Sequence, residues 1–286
     1  MNKNFSIFLR IPIYILVICL ITPLISLFNL VRPEPYTTSI TPDDYGIEYE
    51  RVSFPTEDGI ELKGWFLPSL DPEAEMTVVL LHGYPADKGD VLHRAEILID
   101  SFDVFLFDFR YLGESGGKFT TLGALEQRDL HAALDFLEKE KGIKKVALWG
   151  YSMGAAVSIM VAPERDIVRG VVSDSSYSDL RSMATGLHRP PFLGRILDEA
   201  VLLWGRVFFG IKPSDVSPIK AAPFIEVPVF MVHSRGDKII PIEQAFKLEE
   251  AFSKNPHFKS RFLDYDTHGA AGDRIYEEIK NFLLDL

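Results

Sequence analysis

The sequence predicts an α/β protein: a mostly parallel central sheet with helices on both faces, preceded by an apolar N-terminal segment. Short continuous apolar runs such as MTVVLL at Met76–Leu81 recur along the chain, as expected of strands buried on both faces. Amphipathic stretches separate them, the clearest with Leu122, Leu125, Leu130, Leu134 and Leu137 at helical spacing. This alternation implies βαβ units and parallel pairing. With 286 residues, 47% of them hydrophobic and 25% charged, the chain can bury a sizeable core.

The first element is the apolar segment. From Ile11 to Phe28 no residue is charged, with Lys3 and Arg10 before the run and Arg32 after it. Crossing a bilayer takes roughly 20 apolar residues, so residues 1–31 are expected to form a single transmembrane anchor. A cleaved signal peptide and a buried core helix are the alternatives; the run is long for a signal peptide and no A-x-A-like cleavage site accompanies it. The cations ahead of the run favour an N-terminus on the inside, which puts the remaining chain outside the cytoplasm. Residues 32–46, rich in Pro, Thr and Asp, read as a linker, and 47–286 as one domain.

Within that domain Tyr49–Phe54 and Ile60–Leu67 flank the turn signal P-T-E-D-G and form an antiparallel hairpin. Strands follow at Met76–Leu81, Phe102–Phe109, Val146–Trp149, Gly170–Ser173 and Val227–His233, and an edge strand at Phe258–Leu263. Helices are expected at Leu122–Leu137, Ser152–Val161, Ile242–Phe252 and Asp273–Leu284. Residues 176–225 interrupt the rhythm with Leu180–Leu187, a Pro pair and the apolar run Leu193–Phe209. This insertion reads as a helical lid over a pocket, or as an ordinary pair of helices covering the sheet.

A net charge of −11 disfavours a nucleic-acid partner, because no basic stripe offsets it. The single cysteine, Cys19, excludes an intrachain disulfide and any cysteine cluster for a metal.

Chemistry concentrates around VALWGYSMGAAVSIM. Gly150-Tyr151-Ser152-Met153-Gly154 is G-x-S-x-G, set between an apolar strand and an apolar helix, the context the motif requires. A serine on so sharp a turn needs small neighbours, and its hydroxyl projects from the C-terminal edge of the sheet near a helix N-terminus. The plainer alternative is a capping serine at a glycine-rich helix entry. A serine nucleophile needs a base, and the base needs an orienting acid. Asp237 follows the Val229–Val232 strand and His268 follows the Phe258–Leu263 strand, where active-site groups gather in open α/β sheets. Asp174 is the substitute acid. The backbone N–H groups of Tyr84, after Leu80-Leu81-His82-Gly83, and of Met153 are candidates for an oxyanion hole, with His82 structural.

Four stretches together resemble the α/β-hydrolase superfamily over roughly residues 50–286: H-G-Y-P at 82–85, D-x-R-x-x-G-x-S from Asp108 to Ser115, the serine turn at 150–154, and H-S-x-x-D before I-P at 233–241. The resemblance is greatest to membrane-anchored alpha/beta hydrolase domain-containing proteins and to serine aminopeptidase-like hydrolases. It implies the α/β-hydrolase fold and acyl transfer to water through an acyl-enzyme, without cofactor or metal. It also implies an esterase, thioesterase or lipase, with peptidases among the relatives. The family usually has glycine where Tyr111 stands.

The expected function is therefore a serine hydrolase of carboxylic esters or thioesters, with a small-molecule or lipid ester as substrate and the membrane as a partner. A peptidase using the same residues is the first alternative, with Asp198 and Glu199 as candidate acids for a substrate amine. A non-catalytic binding protein is the second.

Overall fold

The computed structural model describes residues 17, 19–184, 191–265, 267–269 and 272–286, with backbone alone at 191–193 and 273. Its centre is an eight-stranded sheet in the order β1-β2-β4-β3-β5-β6-β7-β8. β1 (Glu50–Pro55) and β2 (Glu61–Leu67) form the antiparallel hairpin, and β2 pairs antiparallel with β4 (Asp103–Phe107). From there β3 (Thr77–Leu81), β5 (Val146–Tyr151), β6 (Val168–Asp174), β7 (Val229–Ser234) and β8 (Phe258–Leu263) run parallel. β8 is the edge strand of the parallel part, with exposed and half-buried positions alternating over its first five residues.

Side chains of successive strand residues point to opposite faces, so each parallel strand feeds two cores. Val79 and Leu81 of β3 join one, with α2 (Glu126–Lys139), α3 (Met153–Val161) and α7 (Ile242–Ala251). Val78 and Leu80 join the other, beneath a 3₁₀ segment (Lys88–Ala95) and α8 (Asp273–Leu284). Helix α2 starts four residues later than its apolar spacing suggests. The buried carboxylate of Glu126 accepts hydrogen bonds from Thr120, Thr121 and Gly123, which holds those residues in a turn.

Between β6 and β7 lie α4 (Leu180–Ala184), α5 (Pro191–Phe209) and α6 (Pro218–Ala221). The expected helix end at Leu187 lies outside the described residues.

Part of the expected membrane span Ile11–Phe28, residues 11–16 and 18, also lies outside them, and no helix among the described residues is long and apolar enough to cross a membrane. Its described part belongs to a helix, α1, over residues 19–31. One side of α1 packs on the domain: Leu27 is 4% exposed and Val31 1%. Phe28 meets Phe209 of α5 edge to face, and the Tyr84 hydroxyl donates to the Leu30 carbonyl at 2.7 Å. The other side is apolar as well, yet Leu20, Ile21 and Ile25 are exposed. Residues 32–46 run over the domain surface and are tied to it. The Thr38 N–H donates to Asp87 and the Tyr36 hydroxyl to Asp90. Tyr111 adopts φ +68°, a conformation that suits glycine, and its hydroxyl donates to the Pro33 carbonyl.

Candidate active site

Ser152 stands between β5 and α3 with φ +54° and ψ −114°, a strained conformation that costs on the order of 1–3 kcal/mol and persists only where the surroundings enforce it. Here the Ser152 N–H donates to the Asp174 carbonyl at 2.8 Å, while its own carbonyl accepts the Ala156 N–H of α3. The two motif glycines are steric requirements. A Cβ on Gly150 would lie 2.3 Å from the Gly154 carbonyl oxygen, and one on Gly154 would lie 2.4 Å from that of Leu81.

The structure brings Ser152, His268 and Asp237 together. His268 Nε2 is 3.0 Å from Ser152 Oγ, and His268 Nδ1 is 2.6 Å from Asp237 Oδ2. A carboxylate accepts, so Nδ1 carries the proton and Nε2 presents its lone pair to the serine hydroxyl. Asp237 is fixed in turn: its Oδ1 accepts the N–H groups of Ile239 and Ile240 at 2.8 and 2.9 Å. Burial opposes charge on that carboxyl, but the hydrogen bond from His268 and those backbone donors outweigh it and hold the group below its usual range. The Asp237 side chain has no exposure to solvent and that of His268 has 12%. Asp174, the substitute acid, is engaged elsewhere, with its Oδ2 2.8 Å from the buried Arg94 guanidinium.

The loop after β3 approaches the serine from the other side. A Cβ on Gly83 would come within 3.1 Å of Ser152 Cβ. Tyr84 and Met153 line the same cavity as Ser152, and among the described residues neither backbone N–H has a protein acceptor. His82 is fully buried: it accepts the Phe109 N–H on Nε2 and donates from Nδ1 to the Gly83 carbonyl. It shapes the loop and is remote from proton transfer. The D-x-R stretch is tied down by ion pairs of its own. Asp108 binds Lys88 through both its ammonium and its N–H, and Arg110 bridges Asp58 and Asp129.

Two cavities meet at Ser152. One, of about 280 Å³, is lined mostly by apolar side chains, among them Leu30, Val31, Leu122, Met183 and Val201. The other, of about 530 Å³, is bordered by His268 and polar groups including Tyr36, Asp90 and His93. The contribution of α1 to the first cavity is not expected from the sequence. Leu27, Leu30 and Val31 have helical spacing, but a run apolar on every side hides which face is packed. The two acids considered for binding an amine line neither cavity: Asp198 is buried and Glu199 pairs with Arg181.

A sheet of this order carrying a serine on a strand-to-helix turn, an acid after a later strand and a histidine before the last helix matches one architecture. The family model described as the alpha/beta hydrolase fold matches residues 77–208. The Pyrococcus furiosus esterase Pf2001 superposes with a TM-score of 0.71 at 26% identity, over 89% of this chain and 97% of that one. The chain belongs to the α/β-hydrolase superfamily. Among the curated relatives, Escherichia coli YfhR is 28% identical over 85% of both chains. A Saccharomyces cerevisiae protein named as a membrane protein, YNL320W, is 22% identical over 86% of this chain and 83% of its own. As an α/β-hydrolase with an esterase among its structural relatives, the protein is a hydrolase.

Proposed function

We propose that the protein is a serine hydrolase that cleaves carboxylic esters or thioesters through an acyl-enzyme. Ser152 is the nucleophile, His268 the general base and then general acid, and Asp237 the group that orients and charge-stabilises the imidazole. The observation that carries this reading is the 3.0 Å contact between Ser152 Oγ and His268 Nε2, backed by Asp237 at 2.6 Å. As the serine oxygen attacks the acyl carbon, its proton passes to Nε2, and negative charge grows on the carbonyl oxygen. The N–H groups of Tyr84 and Met153 receive that charge, aided by the N-terminus of α3. The apolar cavity supports an aliphatic acyl group, with α4 and α5 acting as its lid.

An ester is favoured over a peptide because neither Asp198 nor Glu199 lines a cavity where a substrate amine would bind. Assays run in parallel on nitrophenyl acyl esters and aminoacyl nitroanilides decide between them. Ester turnover at least about a thousandfold faster in kcat/KM, above the roughly 10–200-fold that one methylene of pocket contact supplies, is the expected result. Faster anilide turnover makes the protein a peptidase.

The same proposal includes a membrane anchor at residues 1–31, with the catalytic domain outside the cytoplasm. It is supported by the length of the uncharged run, by the exposed apolar side of α1 and by the relative named as a membrane protein. The full-length protein is expected to stay with the membrane pellet through an alkaline carbonate wash; release into the supernatant removes the anchor from the proposal.

A further inference from the structure

Ser152, Tyr84 and Ile239 border both cavities, whereas His268 and Gly269 border only the larger, polar one. That asymmetry assigns the two chambers, given the proposed function on which this inference rests. When the tetrahedral intermediate collapses, the acyl C–O bond breaks, and the proton held on His268 Nε2 moves to the departing oxygen. The departing group must therefore lie on the imidazole side, in the polar chamber, while the acyl chain occupies the apolar one.

The walls of the polar chamber define what can depart. The Asp90 carboxylate already accepts the Tyr36 hydroxyl at 3.1 Å and the Asp87 N–H at 2.9 Å, and a carboxylate has further acceptor positions. His93 Nε2 is paired with the Tyr276 hydroxyl at 3.1 Å; burial, then the nearby Arg94 charge, pulls this imidazole below its usual range. Arg94 is 3% exposed, and its charge is balanced by Asp174. Among the described residues its Nε and Nη1 are buried with no acceptor, and such donors are costly unless something with a lone pair reaches them. The rings of Tyr36, Tyr151 and Tyr276 complete the chamber.

Charge excludes two classes of headgroup. An anion would meet the Asp90 carboxylate. A quaternary ammonium has no lone pair for the Arg94 donors and would sit beside a guanidinium. A neutral hydroxyl group can donate to the Asp90 carboxylate, and its lone pairs tolerate the nearby guanidinium, while tyrosine rings give the C–H faces of a polyol an apolar surface. We infer that the polar chamber is a leaving-group site for a neutral polyhydroxylated alcohol, so that the preferred substrates are fatty-acyl monoesters of glycerol- or sugar-like polyols.

The test holds the acyl group constant. The full-length enzyme is assayed on the octanoyl esters of glycerol, methanol, choline, glycolate and nitrophenol. A kcat/KM for the glyceryl ester about tenfold or more above that for the methyl ester is expected, the effect of one or two charge-assisted hydrogen bonds. Asp90→Ala and, separately, Tyr36→Phe are expected to shrink that ratio toward one. A methyl ester turned over as well as the glyceryl ester, a preference for choline or glycolate, or a ratio untouched in both variants overturns the assignment. If the nitrophenyl ester is also inert, the parent reading falls and takes this one with it. Nitrophenyl turnover without glyceryl preference sinks the leaving-group site alone.

Discussion

Replacing Ser152 by alanine is expected to reduce ester turnover by on the order of 10⁶ in kcat, the scale on which loss of a nucleophile leaves only binding and oxyanion stabilisation. The substitution removes one oxygen and keeps the Cβ. The turn is enforced by contacts that do not involve that oxygen: the 2.8 Å bond from the Ser152 N–H to Asp174 and the close packing at Gly150 and Gly154. The variant should therefore melt within a few degrees of the parent protein and still bind ester. Intact-mass spectrometry should detect a fluorophosphonate adduct on the parent protein and none on Ser152→Ala. Labelling that persists at another residue would remove Ser152 from the chemistry.

The second large effect is expected from Asp237→Asn, about 10⁴-fold in kcat. The sign follows from hydrogen-bond direction. Asp237 Oδ2 accepts from His268 Nδ1, whereas an amide NH₂ at that place donates and favours the opposite tautomer. Nε2 would then carry a proton toward Ser152 and have no lone pair with which to take one. Asparagine keeps an oxygen for the N–H groups of Ile239 and Ile240, so the loop after β7 should survive, unlike in an alanine variant. Circular dichroism and a thermal melt separate lost chemistry from lost fold. A drop below tenfold would mean another acid orients the imidazole, although Asp174 is committed to Arg94.

Much of this fold is legible in the sequence because parallel strands buried on both faces write themselves as uninterrupted apolar runs. β3 is the plainest case, with all five residues buried. The three residues at the candidate site were legible for a related reason. Each lies in the turn or loop after a strand, in a sheet whose parallel strands end at one edge, so chain order brings them near each other. What escaped depends on convergence that no local pattern records. Arg94 lies on a 3₁₀ segment and meets Asp174 eighty positions later. Tyr36 lies in a stretch that reads as a linker yet contributes to the polar cavity. The start of α2 at Glu126 is not visible in apolar spacing, because that spacing carries no sign that Glu126 folds its carboxylate back onto Thr120 and Thr121.

The last turn of α1 bears on how this protein should be handled. Leu27, Leu30 and Val31 form part of the wall around the apolar cavity, and Leu27 and Val31 are almost wholly buried. Trimming the chain before residue 32 to obtain an easily purified fragment would strip that wall and expose its seat beside α5. Losing two such side chains costs about 1.5–3 kcal/mol each in burial. Selectivity measured on the shortened fragment would describe an unroofed chamber, so acyl-chain preferences need the intact N-terminus.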